Sequence, residues 1–170
     1  MSDEAVGIEL TSPSGEPLRV SWPLASLEPQ RAGDPGEWRL EGELDWDEVD
    51  ALRTLTARLP DGRALVLAAI RPAGAPGHGD EVIAALLVAK GGAAEASDPL
   101  LSVQLGPDGL PTRLGLELDA GGDALPLRIA ADVTGASRER EGELDHVRAA
   151  LAVRLDSKGA SGSYEVLTPA

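Results

Sequence analysis

Apolar residues recur at every second position along most of this chain, interrupted at short intervals by Pro, Gly and Asp. A period of two places one set of side chains on one face of a β-strand and the intervening set on the other. The clearest case is Leu114, Leu116 and Leu118, then the turn residues Asp119-Ala120-Gly121-Gly122-Asp123, then Leu125, Leu127, Ile129, Ala131 and Val133. This predicts a hairpin. Ile8 and Leu10 lead through Ser12-Pro13-Ser14-Gly15-Glu16-Pro17 into Leu18, Val20 and Trp22, a second hairpin. Trp38, Leu40, Gly42, Leu44 and Trp46 alternate with Arg39, Glu41, Glu43 and Asp45, as in a half-exposed antiparallel strand. Val147 to Leu155 alternates in the same way, and a last strand covers Ser163 to Leu167 after a Gly-Ala-Ser-Gly turn.

Two segments fit more than one template. Across residues 46–59, Trp46, Val49, Leu52 or Arg53, and Leu59 make a helical stripe, while Leu55, Ala57 and Leu59 alternate. The Pro60-Asp61-Gly62 turn and the apolar Ala64–Ile70 that follows favour a hairpin, with a short helical turn near 47–52. The apolar run after Glu81 that reaches Ala89 has the form of a strand covered on both faces or of a short buried helix. Leu100 to Leu105 is short and strand-like, and Gly106-Pro107-Asp108-Gly109 repeats the turn chemistry of residues 60–62. About ten strands at this spacing predict one all-β domain over residues 1–170, an antiparallel barrel or two-sheet sandwich.

Composition narrows the chemistry. A chain of 170 residues buries roughly 70% of its unfolded surface, so it folds without a metal or disulfide. Phe is absent and Trp22, Trp38, Trp46 and Tyr164 are the only aromatics, so Leu, Ala, Val and Ile must fill the core. The absence of Cys excludes disulfides, thiolate catalysis and Cys-based metal sites. With 15 basic and 29 acidic residues the net charge is −14, which argues against nucleic acid and anionic membranes as partners. Residues 1–50 hold thirteen of the acids and only three bases. Much of that lies in Glu41, Glu43, Asp45, Asp47, Glu48 and Asp50, read as a solvated acidic face. Asp45, Asp47 and Asp50 mimic the start of a calcium loop, but its sixth and twelfth positions hold Asp50 and Thr56 in place of Gly and Glu. No metal is expected.

The N-terminal Met1-Ser2-Asp3-Glu4-Ala5 is acidic with no apolar run after it, and no stretch approaches the ~18–20 apolar residues of a spanning helix. A cytoplasmic location is expected, and two Lys against thirteen Arg suggest a GC-rich bacterial gene.

No nucleophile elbow, zincin helix, phosphate loop or dinucleotide fingerprint is present, so no cofactor is expected. Any imidazole base must be His78 or His146. The longest turn-rich stretch, Arg71-Pro72-Ala73-Gly74-Ala75-Pro76-Gly77-His78-Gly79-Asp80, lies between two apolar segments. It reads either as a solvated loop or as a lid at a barrel mouth. In the second case Arg71 would fix a carboxylate or carbonyl and His78, oriented by Asp80, would move a proton. His146, among Glu141, Glu143 and Asp145, reads as a plain exposed histidine. Trp38 and Trp46, about 26 Å apart on one strand face, read as packing residues. Alternatively, Trp22 or Trp46 lines an apolar ligand cavity.

From Glu81 onward the order of features is similar to a known family. An apolar strand ends in Lys90-Gly91-Gly92, a second reaches Gly106-Pro107-Asp108-Gly109-Leu110-Pro111, and Leu114-x-Leu116-x-Leu118-Asp119 follows. The chain closes on Gly159-Ala160-Ser161-Gly162-Ser163-Tyr164-Glu165. This resembles the terminal barrel of the lipocalin-like AttH and carotenoid-hydratase superfamily over about half the chain. The resemblance implies a β-barrel that holds a hydrophobic small molecule such as a terpenoid or polyketide. No catalytic residue carries over, because none of the three Trp is followed by the Gly of the family's Trp-Gly pair. The expected function is binding of such a molecule through Trp22, Trp46, Arg71 and His78. The alternatives are a cyclase, isomerase or hydratase using Arg71, His78 and Asp80, and an acidic structural or partner-binding protein.

Overall fold

The computed structural model describes residues 4–28, 37–74, 81–89, 92–119, 126–155 and 158–169. Its described residues form eleven antiparallel strands and one short 3-10 turn, Leu24–Leu27. The first two strands, β1 (Ala5–Thr11) and β2 (Pro17–Pro23), form the expected hairpin, and Gly15 turns it with φ +90°. β3 (Arg39–Glu41) adds to the far side of β2 to make a three-stranded sheet.

The remaining eight strands pair with their sequence neighbours and close into a barrel. They are β4 (Val49–Arg58), β5 (Ala64–Pro72), β6 (Val82–Ala89), β7 (Gly92–Leu105), β8 (Pro111–Asp119), β9 (Leu127–Glu141), β10 (Leu144–Leu155) and β11 (Lys158–Pro169). Closure runs between β11 and β4, from Ser161 opposite Arg58 to Leu167 opposite Leu52. Turn chemistry sets two of the rims. Gly62 and Gly109 both take positive φ, as the Pro-Asp-Gly repeats require, and Asp61 and Asp108 accept the backbone N–H of Arg63 and Leu110. The connections at residues 90–91 and 120–125 lie outside the described residues.

Period two sorts the barrel side chains into two cores. Leu55, Ala57, Leu67, Leu87, Leu116, Leu151 and their same-parity neighbours fill the interior. Eight strands enclose a space that side chains can just fill. Here the middle of the barrel, walled by Leu55, Leu101, Leu114 and Leu151, keeps a void of only about 10 Å³. The opposite parity of β4, β5 and β6, including Leu52, Val66, Ala68 and Ile70, meets Ile8, Leu10, Leu18, Val20 and Trp22 of the three-stranded sheet. Strands β4 and β5 are therefore covered on both faces. That is why Ala64–Ile70 is continuously apolar while the more exposed β10 alternates. The apolar run after Glu81 is strand β6.

Two expectations fail locally. The alternating stretch Trp38–Trp46 is a strand only at Arg39–Glu41. Gly42 takes φ +108° and leads the chain out of the ladder, so Trp38 and Trp46 do not share one long strand. Near 47–52 there is no helical turn beyond Trp46–Glu48, where Asp45 accepts the N–H of Asp47 through its carboxylate and that of Glu48 through its carbonyl. β4 starts at Val49. Both Trp are half-buried against the outer core.

Candidate functional site

The inward row of β4 reads Arg53, Leu55, Ala57, so a charged side chain enters a largely apolar interior. Arg53 is 4% exposed. A buried guanidinium needs a partner, since desolvation of an ion costs several kcal/mol even after relaxation. Glu81, at the entry to β6, supplies it. Arg53 Nε donates to Glu81 Oε2 at 2.9 Å, and Nη2 donates to Oε1, a two-pronged pair in which both side chains are almost solvent-free. Arg53 Nη1 donates to the Tyr164 hydroxyl at 3.3 Å on the adjacent strand β11. Arg71, next on the inward row of β5 after Leu67 and Ala69, stands opposite Ala51 and is half-buried.

Electrostatics follows from this packing. Burial pushes the Tyr164 phenol above its ordinary value of 10.0, against the pull of the Arg53 and Arg71 charges. Burial also opposes the Arg53 charge, but Tyr164 and the Glu81 carboxylate outweigh it and hold the guanidinium pKa above its ordinary value.

The cluster lies at one end of the barrel, where β4 and β6 begin and β5, β7, β9 and β11 end. Around it the inward residues Ile83, Val103, Ala136 and Val166 are only half-buried, unlike Leu55, Leu114 and Leu151 in the middle. The buried polar group thus lies toward this end of the barrel, on the same inward rows as half-buried apolar side chains.

A second polar cluster sits on the outer face of the same wall. Glu165, next to Tyr164 and therefore pointing outward, accepts the Trp38 indole N–H at 2.6 Å. Its Oε1 lies 3.0 Å from His146 Nε2, and His146 Nδ1 lies 3.1 Å from Glu141 Oε1. Arg148 approaches both carboxylates, at 3.4 and 3.6 Å. His146 is 6% exposed, which corrects the expectation of an exposed histidine. Its flanking acids read as a solvated surface in one dimension, but Glu165 on the neighbouring strand β11 meets its other ring nitrogen.

Arg71 stands on the inward row beside this cluster, near enough for its charge to act on Tyr164, whereas His78 and Asp80 fall in residues 75–80, outside the described residues. Trp22 is fully buried between the small sheet and the barrel, its indole N–H donated to Thr56 Oγ1 at 3.0 Å. Trp46 packs at the edge of that outer core. Arg53, Glu81 and Tyr164 are absent from the sequence-based candidates. One signal was present for Arg53, a charge at inward parity between Ala51 and Leu55. Among the described residues no group of three or more His, Asp or Glu is placed to hold a metal ion, and no helix is long and apolar enough to cross a membrane. No protein-family model, curated protein or solved structure matches the chain.

Proposed function

We propose that the barrel binds a small, largely apolar molecule in a shallow cup at its polar end, head group inward. The observation that supports this most strongly is the contrast within one interior. A nearly water-free Arg53–Glu81–Tyr164 cluster forms the floor, half-buried Ile83, Val103, Ala136 and Val166 form the wall, and a filled core lies beneath. Ligand sites on folded scaffolds combine an apolar lining with a few fixed polar groups in this way. The guanidinium and phenol donors suit a carbonyl or carboxylate oxygen. The filled middle limits penetration, so a ligand with a long tail leaves that tail at the rim. The resemblance to the lipocalin-like superfamily points to the same substrate class, terpenoids or polyketides.

The test is calorimetric titration of terpenoids, fatty acids and aromatic polyketides into the wild-type protein and into Tyr164→Phe. The reading expects a binder whose affinity falls about tenfold when the hydroxyl is removed. A panel without a binder, or binders indifferent to Tyr164→Phe, contradicts it.

A further inference from the structure

The free edge of β1 carries an inference independent of the cup. The β1–β2 ladder is bonded through the even-numbered residues of β1. At its ends Leu24 N donates to Glu4 O at 3.0 Å and Ser12 N donates to Glu16 O at 2.9 Å, and both pairs continue the register that sets Ile8 opposite Val20. In an antiparallel pair the bonded positions alternate with non-bonded ones. Ala5, Gly7, Glu9 and Thr11 therefore turn their N–H and C=O groups away from β2. The prolines agree: Pro23 and Pro17, which have no N–H, stand opposite Ala5 and Thr11. Among the described residues no strand pairs with that outer edge. β1 also lacks the Pro, Lys or bulge with which exposed edges are usually blunted.

The edge borders a groove of about 870 Å³ that runs between β1 and β7 over the outer face of β6. Ala84 and Leu86 form part of its floor, and Leu100, 69% exposed, stands at its far side. Strand β7 swings away here. Its pairing to β8 shifts register between Ser97 and Leu100, Asp98 takes φ +51°, and the β6–β7 ladder spans only Ala85–Ala89. The groove's charged residues are Glu9, Glu95 and Asp98 against one base, Arg19, which is already paired with Glu9 at 3.8 Å and Glu41 at 3.3 Å.

We propose that β1 accepts an added strand from a basic partner protein, an extended segment of about seven residues, ~24 Å long. Backbone bonds to Ala5, Gly7, Glu9 and Thr11 hold it. Alternate side chains rest on Ala84 and Leu86 and are apolar. The intervening ones are Lys or Arg and face Glu9, Glu95 and Asp98. A second copy of this chain fits poorly, because it would set the same acids against each other on two bodies of charge −14.

The test uses a capped seven-residue peptide of alternating Val and Lys, its Val-Glu counterpart, and residue-resolved amide exchange on the full chain. The expected result is binding of the Lys peptide alone, with exchange slowed about tenfold or more at the amides of Ala5, Gly7, Glu9 and Thr11. Glu9→Pro, which removes one edge donor and one acid, should weaken binding about tenfold or more. Glu95→Lys lies outside the small sheet and should weaken binding comparably while circular dichroism stays unchanged. Binding that leaves the four amides exchanging as in the free protein overturns the proposal. So does wild-type affinity in Glu95→Lys, or protection of the same amides by self-association without peptide.

Discussion

Tyr164 and Glu165 are consecutive on β11, yet they belong to opposite sides of the barrel wall: the phenol receives Arg53 from within, and the carboxylate receives the Trp38 indole at 2.6 Å from without. One strand thus positions the floor of the cup and ties down the segment that leads into β3, 127 residues away in sequence. A hydrogen bond to a charged acceptor is worth about 1.5–3 kcal/mol. Glu165→Gln and Trp38→Phe should each lower stability within that range in urea unfolding. The double variant should lose less than the sum of the two, since one change weakens and the other removes the same bond.

The buried Arg53–Glu81 pair is expected to be costly to break and cheap to replace. Glu81→Gln leaves a guanidinium without its counter-charge and should cost about 3–5 kcal/mol, as should Arg53→Met, which strands the carboxylate. Arg53→Met combined with Glu81→Leu removes both charges at similar volume. It should unfold at a higher urea concentration than either single variant.

Alkaline pH should destabilise the protein through Tyr164. Its folded pKa is raised above 10.0 by burial, so the folded state holds the phenol proton more tightly than the unfolded chain does. The associated stability is complete below pH 10 and is lost as pH rises above 10 toward the folded pKa. Tyr164 is the only tyrosine, so phenolate absorbance reads one site. It should appear above pH 10 and coincide with unfolding, whereas Tyr164→Phe should lack this part of the alkaline loss.

Barrel closure depends on a residue without a side chain. A Cβ on Gly162 would stand 2.5 Å from the Thr56 carbonyl oxygen and 3.2 Å from Ala57 Cα, both on the partner strand β4. Gly162→Ala must push these backbones apart, and overpacking of this kind costs about 1–3 kcal/mol. Thermal unfolding should show it as a lowered midpoint. Gly159→Ala on the same strand, where a Cβ meets nothing within 4 Å, should leave the midpoint unchanged.

The strands were legible because each face of each strand meets one environment. Leu114–Leu118 and Val147–Leu155 alternate between core and solvent, and both are strands. Trp38–Trp46 alternated as cleanly and mostly is not one, because its side chains lie over the outer core from a segment that Gly42 has already turned. The cup was only partly legible. Arg71 is within a stretch whose turn residues mark a rim, but Glu81 reads as the edge of an apolar run and Tyr164 as part of the last strand, Ser163 to Leu167. Glu81 reaches Arg53 across the β4–β5–β6 meander, and Tyr164 reaches it through barrel closure, which pairs β11 with β4 and has no local signature. His146 is hidden for a different reason, a cross-strand partner in its own hairpin. Sequence neighbours indicate local charge, while the second partner of His146 is Glu165 on β11, itself bonded to Trp38.

The most direct measurement of the cup is methyl-resolved NMR during titration with a ligand drawn from the terpenoid, fatty-acid and polyketide panel. Ile83, Val103, Ala136 and Val166 are the half-buried inward residues of the proposed cup, Leu55 and Leu114 lie in the filled middle, and Trp22 is sealed in the outer core. The account predicts large saturable shifts at the four rim methyls, smaller ones at the two leucines, and an unmoved Trp22 indole resonance. Saturable shifts confined to the outer core, or a saturating ligand that leaves the four rim methyls unchanged, would contradict it.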